Sequence, residues 1–184
     1  MNLFIDCTQK NFYLGIFENN SFVDKQIIPT NNNLTDIAIE YIGKLLTKNN
    51  LKKTDIKSIY LVLGPGSFTG VRVGILITQS WISIFKDVKC NVISSLELQM
   101  QCENCISIIE NKSKSFVSVK KDNILVIQPQ YLDNIEIEKI CEQYINAKII
   151  KNYQNIDIFE NVIYNIKNFK LSENIEPLYL KEAL

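Results

Sequence analysis

Hydrophobic and polar positions recur with two different periods along this chain, and each change of period marks an element. Leu3 to Ile5, Phe12 to Glu18 and Phe22 to Ile28 are short apolar runs with the length and composition of strands. Asn19-Asn20-Ser21 supplies a tight turn between the second and third, so an antiparallel meander is expected. The period then lengthens. Leu34, Ile37, Ala38, Tyr41, Ile42, Leu45 and Leu46 follow i, i+3, i+4, i+7 and i+8 spacing, which predicts an amphipathic helix over 34–48. Asn33 is placed to cap it, Asp36 lies in its first turn, and Lys44 and Lys48 sit near its C-terminus, where the helix dipole favours cations. A strand over 58–63, a helix over 69–86 and a strand over 89–94 come next.

The 69–86 helix carries Val71, Val73, Ile75, Leu76, Ile77, Trp81, Ile82, Ile84 and Phe85, so it is apolar nearly all round. One face must meet the sheet, and the rest needs a second cover, either the 34–48 helix or another chain. Gly70 and Gly74, four apart, let another backbone come close, whether that of the chain's own strand or that of a partner. Further on, a helix is expected over 94–101, strands over 106–110, 115–120 and 124–128, a helix over 136–144, a strand over 147–150 and a helix over 156–168. The order βββαβαβ resembles the ribonuclease-H-like half of the superfold shared by actin, hexokinase and heat-shock chaperones. The expected fold class is therefore α/β and actin-like, with an N-terminal lobe over 1–95 and a smaller, reduced lobe over 96–184 whose terminal segment packs back on the first. In that superfold the acidic residue of the first strand faces the ligand cleft, which singles out Asp6 and Thr8 as cleft candidates.

Chemistry concentrates in one turn. Gly64-Pro65-Gly66-Ser67-Phe68-Thr69-Gly70-Val71-Arg72-Val73-Gly74 holds four of the six glycines and the only arginine of the chain. Gly64 and Gly66 can take φ > 0 and bring other groups close to bare backbone, and Pro65 fixes one φ between them. Ser67 or Thr69 can cap the following helix, whose N-terminal N–H groups form an electropositive end able to hold a phosphate or carboxylate. The spacing matches neither a Walker A loop, which needs Gly-Lys, nor the dinucleotide fingerprint, whose third glycine falls on Thr69. A tight turn that lets a helix pack on a strand explains the same residues. Arg72 can pair with an acidic group or phosphate near the turn, or form an intramolecular salt bridge.

Composition narrows the field. Lys plus Arg and Asp plus Glu number 20 each, so nothing calls for charge-driven binding of nucleic acid. The chain contains no histidine, which excludes Ser-His-Asp and Cys-His catalysis and every His-ligated metal. Asp6 follows the N-terminus too soon for a signal peptide, no apolar run approaches a membrane span, and the five cysteines are an odd number. Reduced thiols in a cytoplasmic protein are expected, including two ordinary thiols at Cys102-Glu-Asn-Cys105. No metal site is expected.

The long glycine motif resembles that of the TsaB (YeaZ) family, the dimerisation subunits of the bacterial tRNA threonylcarbamoyladenosine machinery. Asp6-Cys7-Thr8 is similar to the family's Asp-Thr-Ser/Thr opening, and Val92-Ile-Ser-Ser-Leu-Glu97 resembles the segment after its fifth strand. Pro177-Leu-Tyr-Leu-Lys181 is similar to its terminal Pro-x-Tyr-Leu-Arg. The chain departs from the pattern at Asn31-Asn32-Asn33, where a His-Ser/Thr-Glu stretch is usual, and at Glu110-Asn111-Lys112, where an Asp-Ala-Arg-like turn is usual. The resemblance implies a two-lobed subunit without catalytic power. It would bind and activate the catalytic TsaD subunit and work with the ATPase TsaE. The complex transfers threonylcarbamoyl to the adenosine 3′ of the anticodon in tRNAs reading codons that begin with A. ATP and a metal would then sit on partner subunits, and tRNA would be met only through the complex. In the family the first two helices carry the partner interface, which here assigns Ile39, Tyr41, Ile42, Leu46, Leu76 and Ser80 to contact regions. The free chain could pair with itself through the same helices. The competing reading is a small actin-like ATPase or kinase using Asp6, Thr8 and the 64–70 turn, although the glycine expected after the acidic residue of a phosphate loop is missing. Peptidase activity is a weaker third reading without histidine or a metal-ligand set.

Overall fold

The computed structural model describes residues 1–30 and 33–178. The first half builds β1 (Asn2–Asp6), β2 (Asn11–Glu18), β3 (Ser21–Pro29), α1 (Leu34–Lys48), β4 (Ser58–Val62), α2 (Phe68–Ile84) and β5 (Lys89–Ile93). With β10 (Lys170–Leu171), the strands form one sheet in the order β10-β5-β4-β1-β2-β3. β1 runs antiparallel to β2 and parallel to β4, and β4 runs parallel to β5. This is the expected βββαβαβ order. Asn19 and Asn20 both take positive φ, 50° and 58°, the geometry of a two-residue hairpin loop that asparagine tolerates.

Both faces of this sheet are covered, so its central strands read as unbroken apolar runs rather than alternating ones. Parity along each strand decides which cover a residue meets. Leu3 and Ile5 of β1, with Ile59 and Leu61 of β4, pack under α1 and α2 against Ala38, Ile42, Leu45, Val71, Ile75 and Trp81. Phe4 and Val62 point the other way, into a cluster with Leu96, Ile109, Phe116 and Phe159. Each of the fully buried side chains contributes about 1.5–3 kcal/mol relative to exposure. Asp6 shares the parity of Phe4 and is likewise fully buried.

The second half comprises α3 (Ser95–Leu98), β6 (Cys105–Glu110), β7 (Ser115–Lys121), β8 (Ile124–Leu132), α4 (Asn134–Gln143), β9 (Lys148–Lys151) and α5 (Ile158–Tyr164). Its sheet has the order β8-β7-β6-β9, with α4 on one face and the first sheet's cover on the other. The chain then returns. Ser172 N donates to Cys90 O, Gln79 Nε2 to Ile175 O, and Leu178 N to Leu63 O, so the final described segment lies along α2 and β5.

Several expectations need correction. The helix expected over 94–101 is the four-residue α3, because side chains take up the carbonyls that a longer helix would use. Ser107 Oγ donates to Leu96 O at 2.8 Å, and Asn161 and Asn165 amides donate to Leu98 O at 3.0 and 3.2 Å. The helix expected over 156–168 ends at Tyr164 and continues as a 3-10 turn over Ile166–Asn168. β8 runs on to Leu132, paired with Ser115. α4 begins at Asn134, earlier than expected, because Asp133 and Glu136 form a capping box. Asn33 precedes α1 without a side-chain cap bond. Cys102 and Cys105, expected as separate thiols, are joined as a disulfide with Cα atoms 6.0 Å apart. Asn31, Asn32 and Tyr179 to Lys181 lie outside the described residues.

Candidate functional site

The loop after β1 brings the two cleft candidates to the junction of the sheets. Asp6 Oδ1 accepts from Thr8 N at 2.8 Å, and Asp6 Oδ2 accepts from the Tyr153 hydroxyl at 2.8 Å. Thr8 Oγ1 lies 3.4 Å from the same hydroxyl. All three residues are buried. Tyr153 belongs to the turn between β9 and α5, where Asn152, Tyr153 and Asn155 have φ of 48°, 61° and 56°. Gln99 holds that turn, accepting from Tyr153 N at 3.1 Å through Oε1 while its amide donates to Ser107 Oγ at 2.6 Å. Burial pushes the Asp6 carboxyl above its ordinary range, and the hydrogen bonds from Thr8 and Tyr153 pull it back in part. Burial, and then the neighbouring Asp6 charge, push the Tyr153 hydroxyl up as well. A carboxylate in this setting has both oxygens engaged and no surface for a phosphate or metal to approach.

The glycine turn braces the same strand end. Gly64 takes φ 92°, which glycine alone adopts easily. Ser67 N donates to Thr8 O at 2.7 Å, Ser95 N to Gly64 O at 2.8 Å, and the Ser95 hydroxyl to Pro65 O. A Cβ at Gly66 would collide with the Thr8 carbonyl, and one at Gly70 with the Cys7 carbonyl. A Cβ at Gly74 would lie 3.2 Å from Leu61. The Gly70–Gly74 pair therefore serves close packing on the chain's own first and fourth strands. Ser67 caps α2 by accepting from Gly70 N at 3.2 Å, and the helix starts at Phe68, leaving Thr69 exposed within its first turn. Gly66 and Ser67 also border an open cavity of about 270 Å³ with Thr8, Gln9 and Lys10. Arg72 forms neither of the pairs expected for it among the described residues. Its guanidinium stacks 3.8 Å from the centroid of the Phe68 ring.

The helix faces separate the six interface candidates. On α2, Phe68, Leu76 and Ile84 are 61%, 65% and 71% exposed, and with Arg72 and Ser80, both exposed, they form one i, i+4 ridge inclined to the helix axis. On α1, Ile39 is 62% exposed and Tyr41 half-buried. Ile42 and Leu46, however, are buried in the core beneath α1, where the i+3/i+4 stripe that predicts the helix also points them inward. These two are corrected from surface contacts to core residues. Periodicity alone had not separated the inner row of α1 from its outer one.

Among the described residues no group of three or more Cys, Asp or Glu side chains is placed to hold a metal ion, and no helix is long and apolar enough to cross a membrane. Tyr153 and Gln99 escape sequence reasoning. The one local signal is Asn152-Tyr153-Gln154-Asn155, a run whose asparagines favour left-handed turns.

Known proteins resemble this chain along most of its length. The family model described as TsaD, tRNA N6-adenosine threonylcarbamoyltransferase, matches residues 27–144. The Mycoplasma pneumoniae protein described as the MG208 homolog is 34% identical over 193 residues, covering 99% of this chain and 95% of that protein. The tRNA threonylcarbamoyladenosine biosynthesis protein TsaB of Bacillus subtilis is 25% identical over 95 residues, 52% of this chain and 41% of that protein. The structure of YeaZ from Pseudomonas aeruginosa superposes with a TM-score of 0.73 at 14% identity, covering 97% of this chain and 99% of that one.

Proposed function

The chain belongs to the TsaD family of tRNA N6-adenosine threonylcarbamoyltransferases, as a TsaB/YeaZ-like protein, and we propose that it is the non-catalytic subunit that binds and activates a catalytic TsaD subunit. The observation that carries this reading is the exposed row Phe68, Leu76 and Ile84 on α2, together with the exposed Ile39 on α1. Large exposed apolar side chains at i, i+8 and i+16 along one i±4 ridge of a helix are what a second helix covers. The engaged and buried Asp6 supports the non-catalytic half of the proposal, since an actin-like ATPase or kinase needs that carboxylate open to its nucleotide.

In this role the chain acts by differential binding. Docking of its two helices favours one arrangement of the partner, and the catalytic group transfer proceeds there. The acceptor is the adenosine 3′ of the anticodon in tRNAs reading codons that begin with A. ATP and a metal belong to partner subunits, the TsaE ATPase joins the same assembly, and tRNA is met only within it. The free chain pairs with itself through the α1–α2 face when no partner covers it.

Size-exclusion chromatography with light scattering, on the chain alone and mixed with the TsaD subunit of its own organism, tests the reading. A one-to-one complex is expected. Absence of any complex at micromolar concentrations, together with multiple-turnover ATP hydrolysis by the chain alone that Asp6→Asn abolishes, would return the enzyme reading in its place.

A further inference from the structure

The C-x-x-C pair lies apart from the cleft and from the outer faces of α1 and α2. Cys102 and Cys105 flank two exposed residues, Glu103 and Asn104, in the loop between α3 and β6, and they are joined as a disulfide. Cys102 is partly buried and follows the exposed Gln101, so a small thiol can reach its sulfur. Cys105 is fully buried. β6 runs antiparallel to β7, and the residue directly opposite Cys105 is Lys120. Directly opposed residues of such a pair point to the same face, with Cβ atoms about 4.5–5.5 Å apart. Lys120 is 8% exposed, its Nζ donates to Met100 O at 3.4 Å, and Met100 packs with both cysteines. No carboxylate among the described residues forms an ion pair with it. Burial pulls the Lys120 pKa down, and the Glu97 charge offsets this in part. A buried ammonium without a counter-ion, set beside a buried sulfur, favours a thiolate at that sulfur.

We propose that Cys102–Cys105 is a thiol–disulfide exchange site for low-molecular-weight thiols, with Cys102 the sulfur attacked and Cys105 the leaving thiolate stabilised by Lys120. An incoming thiolate bonds to Cys102 Sγ, the Sγ–Sγ bond breaks, and its electron pair leaves on Cys105. A second thiolate then attacks the incoming sulfur, which releases Cys102 as a thiolate and forms the disulfide of the two incoming thiols. Two thiols are oxidised, the protein gains two electrons, and the two thiol protons pass to the cysteines. The reduced site needs no rebuilding, since Cys105 Sγ already lies 3.3 Å from Cys102 O, an acceptor for its thiol. The same loop holds neighbouring backbone. Asn123 N donates to Glu103 O at 3.1 Å, Asp122 N to Asn104 Oδ1 at 3.0 Å, and Lys148 N to Asn104 O at 2.9 Å. The state of the two sulfurs therefore governs how firmly the β7–β8 turn and the start of β9 are held. None of this depends on the subunit reading.

Peptide mass mapping after rapid trapping with N-ethylmaleimide tests the site on the folded chain in glutathione buffers. In excess oxidised glutathione Cys102 is expected to stay unlabelled and bonded to Cys105. In excess reduced glutathione it is expected to become labelled, and reversing the buffer should reverse the change. Lys120→Met is expected to slow the reduction about tenfold and Lys120→Arg to restore it, with Tm recorded for each. Amide exchange should rise on reduction at 101–105 and 121–124 and not in β1–β3. Cys102 trapped as a free thiol under excess oxidised glutathione overturns the proposal, as does a disulfide that yields only after the chain is unfolded. Equal rates of reduction in wild type and Lys120→Met overturn the part given to Lys120. Amide exchange that reduction leaves unchanged at 121–124 overturns the link to the β7–β8 turn.

Discussion

At the scale of single residues, the junction between the sheets depends on a few buried polar atoms. Tyr153→Phe removes the donor to Asp6 Oδ2 in a site without water access, and a loss of about 1–3 kcal/mol is expected in denaturant unfolding. The titration of Asp6 gives a second prediction. Its folded pKa is raised, so its favourable contribution is complete below the ordinary carboxylate range and is lost as pH rises through the folded value. The stability difference between wild type and Asp6→Asn, which has no such titration, should therefore shift against wild type as pH rises through that window. A difference that stays flat with pH would show that burial does not raise the Asp6 carboxyl above its unfolded value. Glycines separate by the same logic of neighbours. Gly70→Ala forces a methyl group into the Cys7 carbonyl and should cost about 1–3 kcal/mol or more. Gly43→Ala meets nothing and should gain up to about 1 kcal/mol. Asp6, Thr8 and the glycine motif were legible in the sequence. Tyr153 was not, because its meaning comes only from a partner 147 positions away.

At the scale of elements, the helices show what periodicity reads well and where it stops. The 34–48 helix and the 69–86 helix were visible as apolar repeats, and the structure places them at Leu34–Lys48 and Phe68–Ile84. What the repeat did not decide was which apolar positions face inward, since a helix apolar all round has no polar face to orient it. The sheet settles that by taking Val71, Ile75 and Trp81, and leaves the Phe68–Ile84 row outside. Leu76→Arg, on that row, should change stability by no more than about 0.5 kcal/mol while removing the complex with the partner subunit in light scattering. Ile42→Arg, directed into the core, should unfold α1 instead, and circular dichroism distinguishes the two. The short α3 shows the opposite limit. Its residues carry helical spacing, but Ser107, Asn161 and Asn165 hold its Leu96 and Leu98 carbonyls, and these residues come later along the chain.

At the scale of the whole molecule, the second half serves the first as a cover as well as a lobe. Its sheet and α5 bury the face of the first sheet that carries Phe4, Asp6 and Val62, and the β9–α5 turn lays Tyr153 over the carboxylate. Within the second half, Gln99 ties the end of α3 to the second sheet and the β9–α5 turn through Ser107, the Ile108 and Ile150 carbonyls and Tyr153 N. Gln99→Ala should consequently lower Tm and raise amide exchange across 152–155 more than in β1–β3; uniform exchange would place the link elsewhere. By itself the sequence determined the strands and helices of the first half, their order, the glycine turn and the absence of histidine chemistry. Each of these follows from local spacing or from composition, which neighbours along the chain are enough to specify. Only the tertiary structure decided that Asp6 is covered, that Ile42 and Leu46 are core, that the Gly70–Gly74 pair meets the chain's own strands, and that Phe68, Leu76 and Ile84 remain uncovered. Those outcomes depend on which surfaces meet across long sequence separations, and spacing along one element carries no information about what packs against it.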